Sequence, residues 1–122
     1  MTIKEVNGVI HIFKGDTGHI KIAGFNPEIN YNVYLQISDE NGNFIGSQLN
    51  QATGGSTQVT FYITSALSDL LTIPAGEDTA TYYVGVKKSE VGIGDEDTII
   101  PEFGKKKLMI VHRKYAEGPA NG

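Results

Sequence analysis

Apolar and polar residues alternate along most of this chain, which is the pattern of β-strands with one buried face. The clearest alternation runs from Thr57 to Thr64 and from Ala80 to Lys87. The segment between these two strands predicts about one helical turn with Ser65 as its N-cap, ended by Pro74. Three leucines of this segment are expected to close one end of the core: Leu67, Leu70 and Leu71.

Earlier stretches show the same alternation, and the turns between them contain glycine. Asn7-Gly8 separates the first two stretches. It predicts a two-residue hairpin, with one continuous strand bulged at Gly8 as the alternative. Tyr31 to Ser38 and a shorter strand around Phe44 to Leu49 form a second predicted hairpin, whose turn lies near Asn41-Gly42.

Two segments near the carboxyl end are more apolar than an exposed loop or a half-buried strand usually is. Val91 to Pro101 is too apolar for a solvated loop, so we expect a hairpin arm with its tip near Asp95 to Asp97. The last strand, Lys107 to Arg113, is apolar on both sides, which is typical of a strand covered on both faces. We therefore expect a protein interface that includes Val91, Ile93, Ile99, Ile100, Met109 and Val111.

These patterns predict an all-β fold, an antiparallel immunoglobulin-like β-sandwich of about seven strands with one short helix. We assign the sandwich to residues 1–114 and interpret residues 115–122, which are polar and rich in Gly and Pro, as a linker or flexible tail. The chain has 122 residues and no cysteine. One domain of this size can form a core by packing alone.

The net charge and the distribution of apolar residues disfavour two classes of partner. Fourteen acidic and ten basic residues give a net charge of −4, which disfavours binding to a nucleic-acid backbone. The amino terminus lacks the features of a signal peptide, and no later segment approaches the ~20 apolar residues of a membrane span. We therefore expect neither nucleic acid nor a membrane as a partner.

The candidate metal ligands do not form a recognisable motif. His11, His19 and His112 all fall in predicted strands, and two of them would face each other if the first and last strands pair. A zinc site needs three or four convergent ligands, so no metal site is expected here. The acidic segments around Asp39 and Asp95 lack the EF-hand pattern, which favours solvated loop tips over calcium sites.

No arrangement of residues typical of catalysis is present. We find no nucleophile elbow, no histidine with an acidic partner and no recognisable carboxylate pair, so we expect a protein that is not an enzyme and has no cofactor. Tyr62 and Tyr83 are expected on the same outward face of neighbouring strands. They would form either a binding patch or a cross-strand pair that stabilises the sheet.

Three patterns resemble the amino-terminal β-sandwich domain of upper baseplate proteins, and of related tail or appendage proteins, in phages of Gram-positive bacteria. The first is the early turn Phe13-Lys14-Gly15-Asp16-Thr17 followed by an alternating strand. The second is Val59 to Ile63, then a short helix and a glycine turn leading to Tyr82-Tyr83-Val84-Gly85-Val86. The third is a final strand followed by Glu117-Gly118-Pro119.

The resemblance implies a non-enzymatic virion structural protein, assembled in the host cytoplasm, that acts as an attachment or assembly module in a tail, baseplate or head appendage. Its implied partners are other virion proteins, together with further copies of itself in a homo-oligomer. The alternative is a cell-surface immunoglobulin-like adhesion or carbohydrate-binding module.

Overall fold

Nine β-strands and one short helix make up the secondary structure of residues 3–102 and 105–116, which are the residues described by the computed structural model. The elements in chain order are β1 (Lys4–Val6), β2 (Val9–Phe13), β3 (Gly18–Ala23), β4 (Tyr31–Ser38), β5 (Phe44–Ala52), β6 (Gln58–Ile63), α1 (Ser65–Asp69), β7 (Thr79–Glu90), β8 (Glu96–Ile100) and β9 (Leu108–His112).

The strands form one large and one small sheet. The large sheet has the order β1-β2-β9-β7-β4-β5, and β8 also pairs with β7. The small sheet contains β3 and β6. Because β7 is twelve residues long, its first part pairs with β9 and its second part with β8 on the same edge.

The core lies between the two sheets and follows the predicted alternation. From the large sheet, β4 contributes Val33, Leu35 and Ile37, all at most 2% exposed. From the small sheet, Phe61 and Ile63 are fully buried. Since successive residues of a strand point to opposite faces, one row of each strand packs inward and the other row points outward.

Both predicted hairpins are confirmed. Asn7 and Gly8 have positive φ angles of 53° and 80°, as a two-residue turn between β1 and β2 requires, so the alternative of a bulged continuous strand is wrong. In the second hairpin, the Asp39 carboxylate accepts hydrogen bonds from the backbone N–H groups of Asn41 and Asn43, both at 2.9 Å. These bonds hold the turn that joins β4 to β5.

The short helix begins one residue earlier than predicted. Thr64, not Ser65, is the N-cap, and its Oγ1 accepts a hydrogen bond from the Leu67 backbone N–H at 3.1 Å. Leu67 and Leu71 close the core as expected, but Leu70 is 54% exposed. Ser68 is fully buried and donates a hydrogen bond to the Asp16 carbonyl at 2.6 Å, which ties the helix to the turn before β3.

The immunoglobulin-like sandwich with one short helix is thus confirmed, with two differences in detail. The described residues contain nine strands, and one pair, β2 with β9, is parallel. The domain boundary at residue 114 stays a prediction. Of the expected tail, Tyr115 donates a hydrogen bond to the Asp78 carboxylate at 3.0 Å, whereas residues 117–122, with the Glu117-Gly118-Pro119 motif, lie outside the described residues.

Candidate protein interface

The outward face of β2 and β9 presents apolar and aromatic side chains on two adjacent strands. Alternation directs three residues of each strand away from the core. The parallel register places His11 beside Ile110 and Phe13 beside His112. Phe13 is 47% exposed, and the other members are partly buried by their neighbours. We call this set the outer cluster: Val9, His11, Phe13, Leu108, Ile110 and His112.

Two histidines meet within the outer cluster, as expected if the first and last strands pair. His11 Nδ1 and His112 Nε2 are 2.9 Å apart and share a hydrogen bond. The Phe13 ring lies against His112, with ring centroids 5.6 Å apart. His19 is in the other sheet, beside Tyr62. Within residues 3–102 and 105–116, no three His, Asp or Glu side chains converge as metal ligands would.

The predicted interface is wrong for the two residues on the inward face of β9. Met109 and Val111 are both fully buried in the core between the sheets. They were assigned to an interface because β9 is apolar on both sides, and the pattern of the strand alone does not indicate which row points inward. Their side chains contact the protein's own interior, so they are not available to a partner.

The predicted hairpin arm is confirmed, because β7 and β8 pair antiparallel, but its tip is shifted towards the amino end of the arm. The tip lies at residues 91–95, where Gly92 and Gly94 adopt positive φ angles, and of the predicted Asp95 to Asp97 it includes only Asp95. Asp97 lies within β8 and pairs with Lys88 of β7. The acidic residues are therefore divided between turn and strand.

The apolar residues of the arm divide in the same way. Val91 and Ile93 are 54% and 61% exposed at the tip. Ile99 and Ile100 are partly buried and pack against the core. An interface role for all four stays a prediction, and Val91 and Ile93 are the two whose side chains are free to make such a contact.

Tyr62 and Tyr83 do not share a face. Tyr62 points outward from the small sheet, where its ring centroid lies 5.1 Å from that of His19. Tyr83 points outward from the large sheet, and the Lys106 ammonium lies 5.2 Å from the centre of its ring. The prediction was wrong because β6 and β7, although adjacent in sequence, belong to different sheets.

The turn at Asp39 has a structural explanation. Hydrogen bonds from the backbone N–H groups of Asn43 and Asn41 lower the pKa of Asp39 from its ordinary value of 3.8. Both of its carboxylate oxygens accept hydrogen bonds from within the turn. The Asp39 carboxylate therefore stabilises the turn of the hairpin.

A cleft of about 430 Å³ opens on another side of the sandwich, along β3. Five consecutive residues of β3, 19–23, line it. Opposite them lie Ile10, Val84 and Ile100 of the large sheet. Nothing in the sequence pattern pointed to this cleft, because it arises from the small sheet having fewer strands than the large one.

Comparison with known proteins supports the fold, but it identifies neither a family nor a function. No family model matches the sequence, and no curated protein matches it either. The fold is similar to that in the crystal structure of the periplasmic chaperone SfaE, with a TM-score of 0.59 and 9% sequence identity. The match covers 93% of this chain and 59% of the chaperone, so this chain spans less than two thirds of that protein's length.

The likeness establishes the sandwich fold alone. At 9% identity it carries no information about partners or activity. No helix among the described residues has the length and apolar character needed to cross a membrane.

Proposed function

We propose that this chain is a non-enzymatic structural protein of a phage virion, which attaches to other virion proteins in a tail, baseplate or head appendage. The virion assignment rests on the resemblance of the turn at Phe13 to Thr17 and of the strand-helix-strand unit to upper baseplate domains. The general role in protein attachment is supported by the surface of the sandwich.

The outer cluster is the observation that carries this proposal. Val9, Phe13, Leu108 and Ile110 place apolar side chains on the outward face of two paired strands, where Phe13 is 47% exposed and the other three are partly exposed. A contiguous apolar patch on the outside of a sheet is characteristic of a protein interface. Aromatic residues such as Phe13 are enriched at the centres of such interfaces.

The tip of the arm presents a second exposed apolar surface. Val91 and Ile93 occupy a turn, where polar residues are the usual choice, and more than half of each side chain is exposed. The arm is formed by the second part of β7 and by β8, which pair with each other. Exposed apolar residues at the end of a hairpin are suited to insertion into a pocket on a neighbouring subunit.

Assembly of the purified protein tests the general role. We expect sedimentation velocity to detect a homo-oligomer, and Ile110→Glu to shift it towards the monomer because the substitution places a charge inside the outer cluster. Gln36→Glu is the matched control, since Gln36 also points outward from the large sheet but on β4. Equal behaviour of the two variants would exclude the outer cluster from assembly.

Mass spectrometry of purified virions tests the virion assignment separately. We expect the chain in intact particles at a constant ratio to the other tail or head proteins. Its absence from the particles, with the protein abundant in infected cells, would contradict a structural role.

A second candidate is a cell-surface adhesion or carbohydrate-binding module, and the observation that favours it is the exposed ring of Tyr62. Tyr62 is 47% exposed on the outward face of the small sheet and lies next to His19. Aromatic rings provide apolar contact for sugars. Binding on a glycan array that is lost in Tyr62→Ala and kept in Tyr83→Ala would support this candidate.

A further inference from the structure

The cleft along β3 borders a strand edge that is unpaired within residues 3–102 and 105–116. β3 pairs with β6 on one side, and no other described strand pairs with it. A β-strand edge presents backbone N–H and C=O groups that are available for pairing with another strand. The cleft residues 19–23 are consecutive and therefore come from both faces of β3, so the cleft follows the backbone edge of β3.

The direction of the free backbone groups follows from the register. Gly24 N–H donates to the Thr57 carbonyl at 3.0 Å, one step beyond the pair Ala23 and Gln58. In an antiparallel ladder the directions of these groups alternate, so the even-numbered residues of β3 bond to β6. The N–H groups of His19, Lys21 and Ala23 consequently face the cleft.

The wall of the cleft opposite this edge is apolar. Ile20 and Ile22 of β3 point inward, and Ile10, Val84 and Ile100 lie across from them. Ile100 belongs to the large sheet but is only partly buried. A strand laid beside β3 would therefore place every second side chain against apolar residues of the large sheet.

The charged side chains at the cleft differ in whether they have an ion-pair partner among the described residues. Lys107 and Glu5 both line the cleft and form an ion pair with each other. Lys21 is exposed on the outward side of β3, and in the part of the chain that the structure describes no ion pair or hydrogen bond involves its ammonium group. An acidic side chain at the facing outward position of an added strand would complement this charge.

We propose that a partner protein donates an extended strand that pairs with the free edge of β3 and completes the small sheet as its third strand. The donated strand has apolar side chains on its inward positions and an acidic side chain opposite Lys21. This mode of recognition takes its affinity from main-chain hydrogen bonds and its specificity from alternate side chains. It rests on the proposed function only in requiring another protein as the partner, and it uses a surface separate from the outer cluster.

A synthetic peptide tests the proposal on the intact chain. The probe is a capped peptide of about nine residues in which valine alternates with threonine around one central outward glutamate. We expect it to shift the backbone amide resonances of residues 19–23 in a ¹⁵N NMR titration. The otherwise identical peptide with a central lysine should bind about two- to five-fold more weakly, as expected for one exposed ion pair.

Two variants locate the binding site. Lys21→Glu should reverse the preference between the two peptides, since it changes only the sign of the charge on an exposed position. Ala23→Pro removes an N–H group that faces the cleft while keeping the ladder with β6, so it should weaken binding more than ten-fold. Thr60→Pro is the matched control on the opposite edge of the same sheet and should leave binding unchanged.

Three results would overturn the proposal. They are the absence of shifts at residues 19–23 at millimolar peptide, equal affinity of the two peptides for both the unmodified protein and Lys21→Glu, and self-association that Ala23→Pro abolishes. The last result would assign the edge to a second copy of this chain. Loss of assembly in Ile110→Glu concerns the outer cluster alone, so the two proposals fail independently.

Discussion

The two faces of β9 carry similar residues in opposite environments. Met109 and Val111 point inward and are fully buried, whereas Leu108 and Ile110 point outward and are only partly buried. One row contributes to the stability of the sandwich, and the other contributes to the outer cluster. Residue type alone therefore does not identify an interface, because the direction of a side chain decides whether an apolar residue meets the core or a partner.

The largest expected effect comes from placing the same charge on each face. Val111→Asp buries a carboxylate without a partner and should destabilise the fold by about 4 kcal/mol or more. Ile110→Asp leaves its carboxylate within reach of water and should cost about 1 kcal/mol or less. Urea denaturation followed by circular dichroism measures both. Equal losses would show that the assigned directions are wrong.

A second comparison uses two consecutive leucines after the helix. Leu71 is fully buried and Leu70 is 54% exposed. Leu71→Ala should cost about 2–5 kcal/mol because it leaves a cavity at the end of the core. Leu70→Ala should change the free energy of unfolding by about 0.5 kcal/mol or less. The same denaturation measurement would contradict this account if Leu70 proved the more important residue.

A smaller effect is expected at the polar contact of the helix. Ser68 is buried and bonds to the Asp16 carbonyl, so Ser68→Ala should cost about 1–3 kcal/mol by leaving that carbonyl without its donor. Ser65 is exposed, and Ser65→Ala should lie within about 0.5 kcal/mol of the unmodified protein. Thermal unfolding monitored by calorimetry distinguishes the two. A neutral Ser68→Ala would mean that the contact does not hold the helix in place.

The smallest expected effect concerns pH and the exposed turn of the second hairpin. The pKa of Asp39 in the folded protein lies below its ordinary value of 3.8, so its ionised form stabilises the fold at pH values above 3.8. This contribution is lost as the pH falls through the lowered folded pKa. Asp39→Asn should therefore be less stable than the unmodified protein at pH 6, with a difference that disappears in acid. Glu40→Gln is the neighbouring control, and an equal pH response would refute the role of Asp39.

Local patterns were sufficient to predict most strands and turns. Alternation in Tyr31 to Ser38 and the turn residues Asn7-Gly8 both act over a few positions, so the sequence indicated them correctly. The sandwich class followed from the number and spacing of such strands. The helix start was one residue off because Thr64 and Ser65 are both good N-caps.

Long-range pairing was not predictable from these patterns. The sequence placed Tyr62 and Tyr83 together because they are close in the chain, yet the strands separate into two sheets. It led us to assign Met109 and Val111 to an interface, which is wrong because both are fully buried. Leu108 and Ile110 are equally apolar, so the pattern does not show which row points inward. The cleft along β3 depends on the number of strands in the small sheet, which only the assembled fold determines.

The parallel pairing of β2 with β9 affects how the protein is made. Ile12 and Val111 are neighbours in the sheet although nearly the whole chain separates them. During synthesis, β2 and β7 therefore lack the strand that lies between them until β9 emerges from the ribosome. Contacts between residues this far apart in sequence form slowly. A product released before Leu108 would expose the unpaired edges of β2 and β7, which makes incomplete chains prone to aggregation.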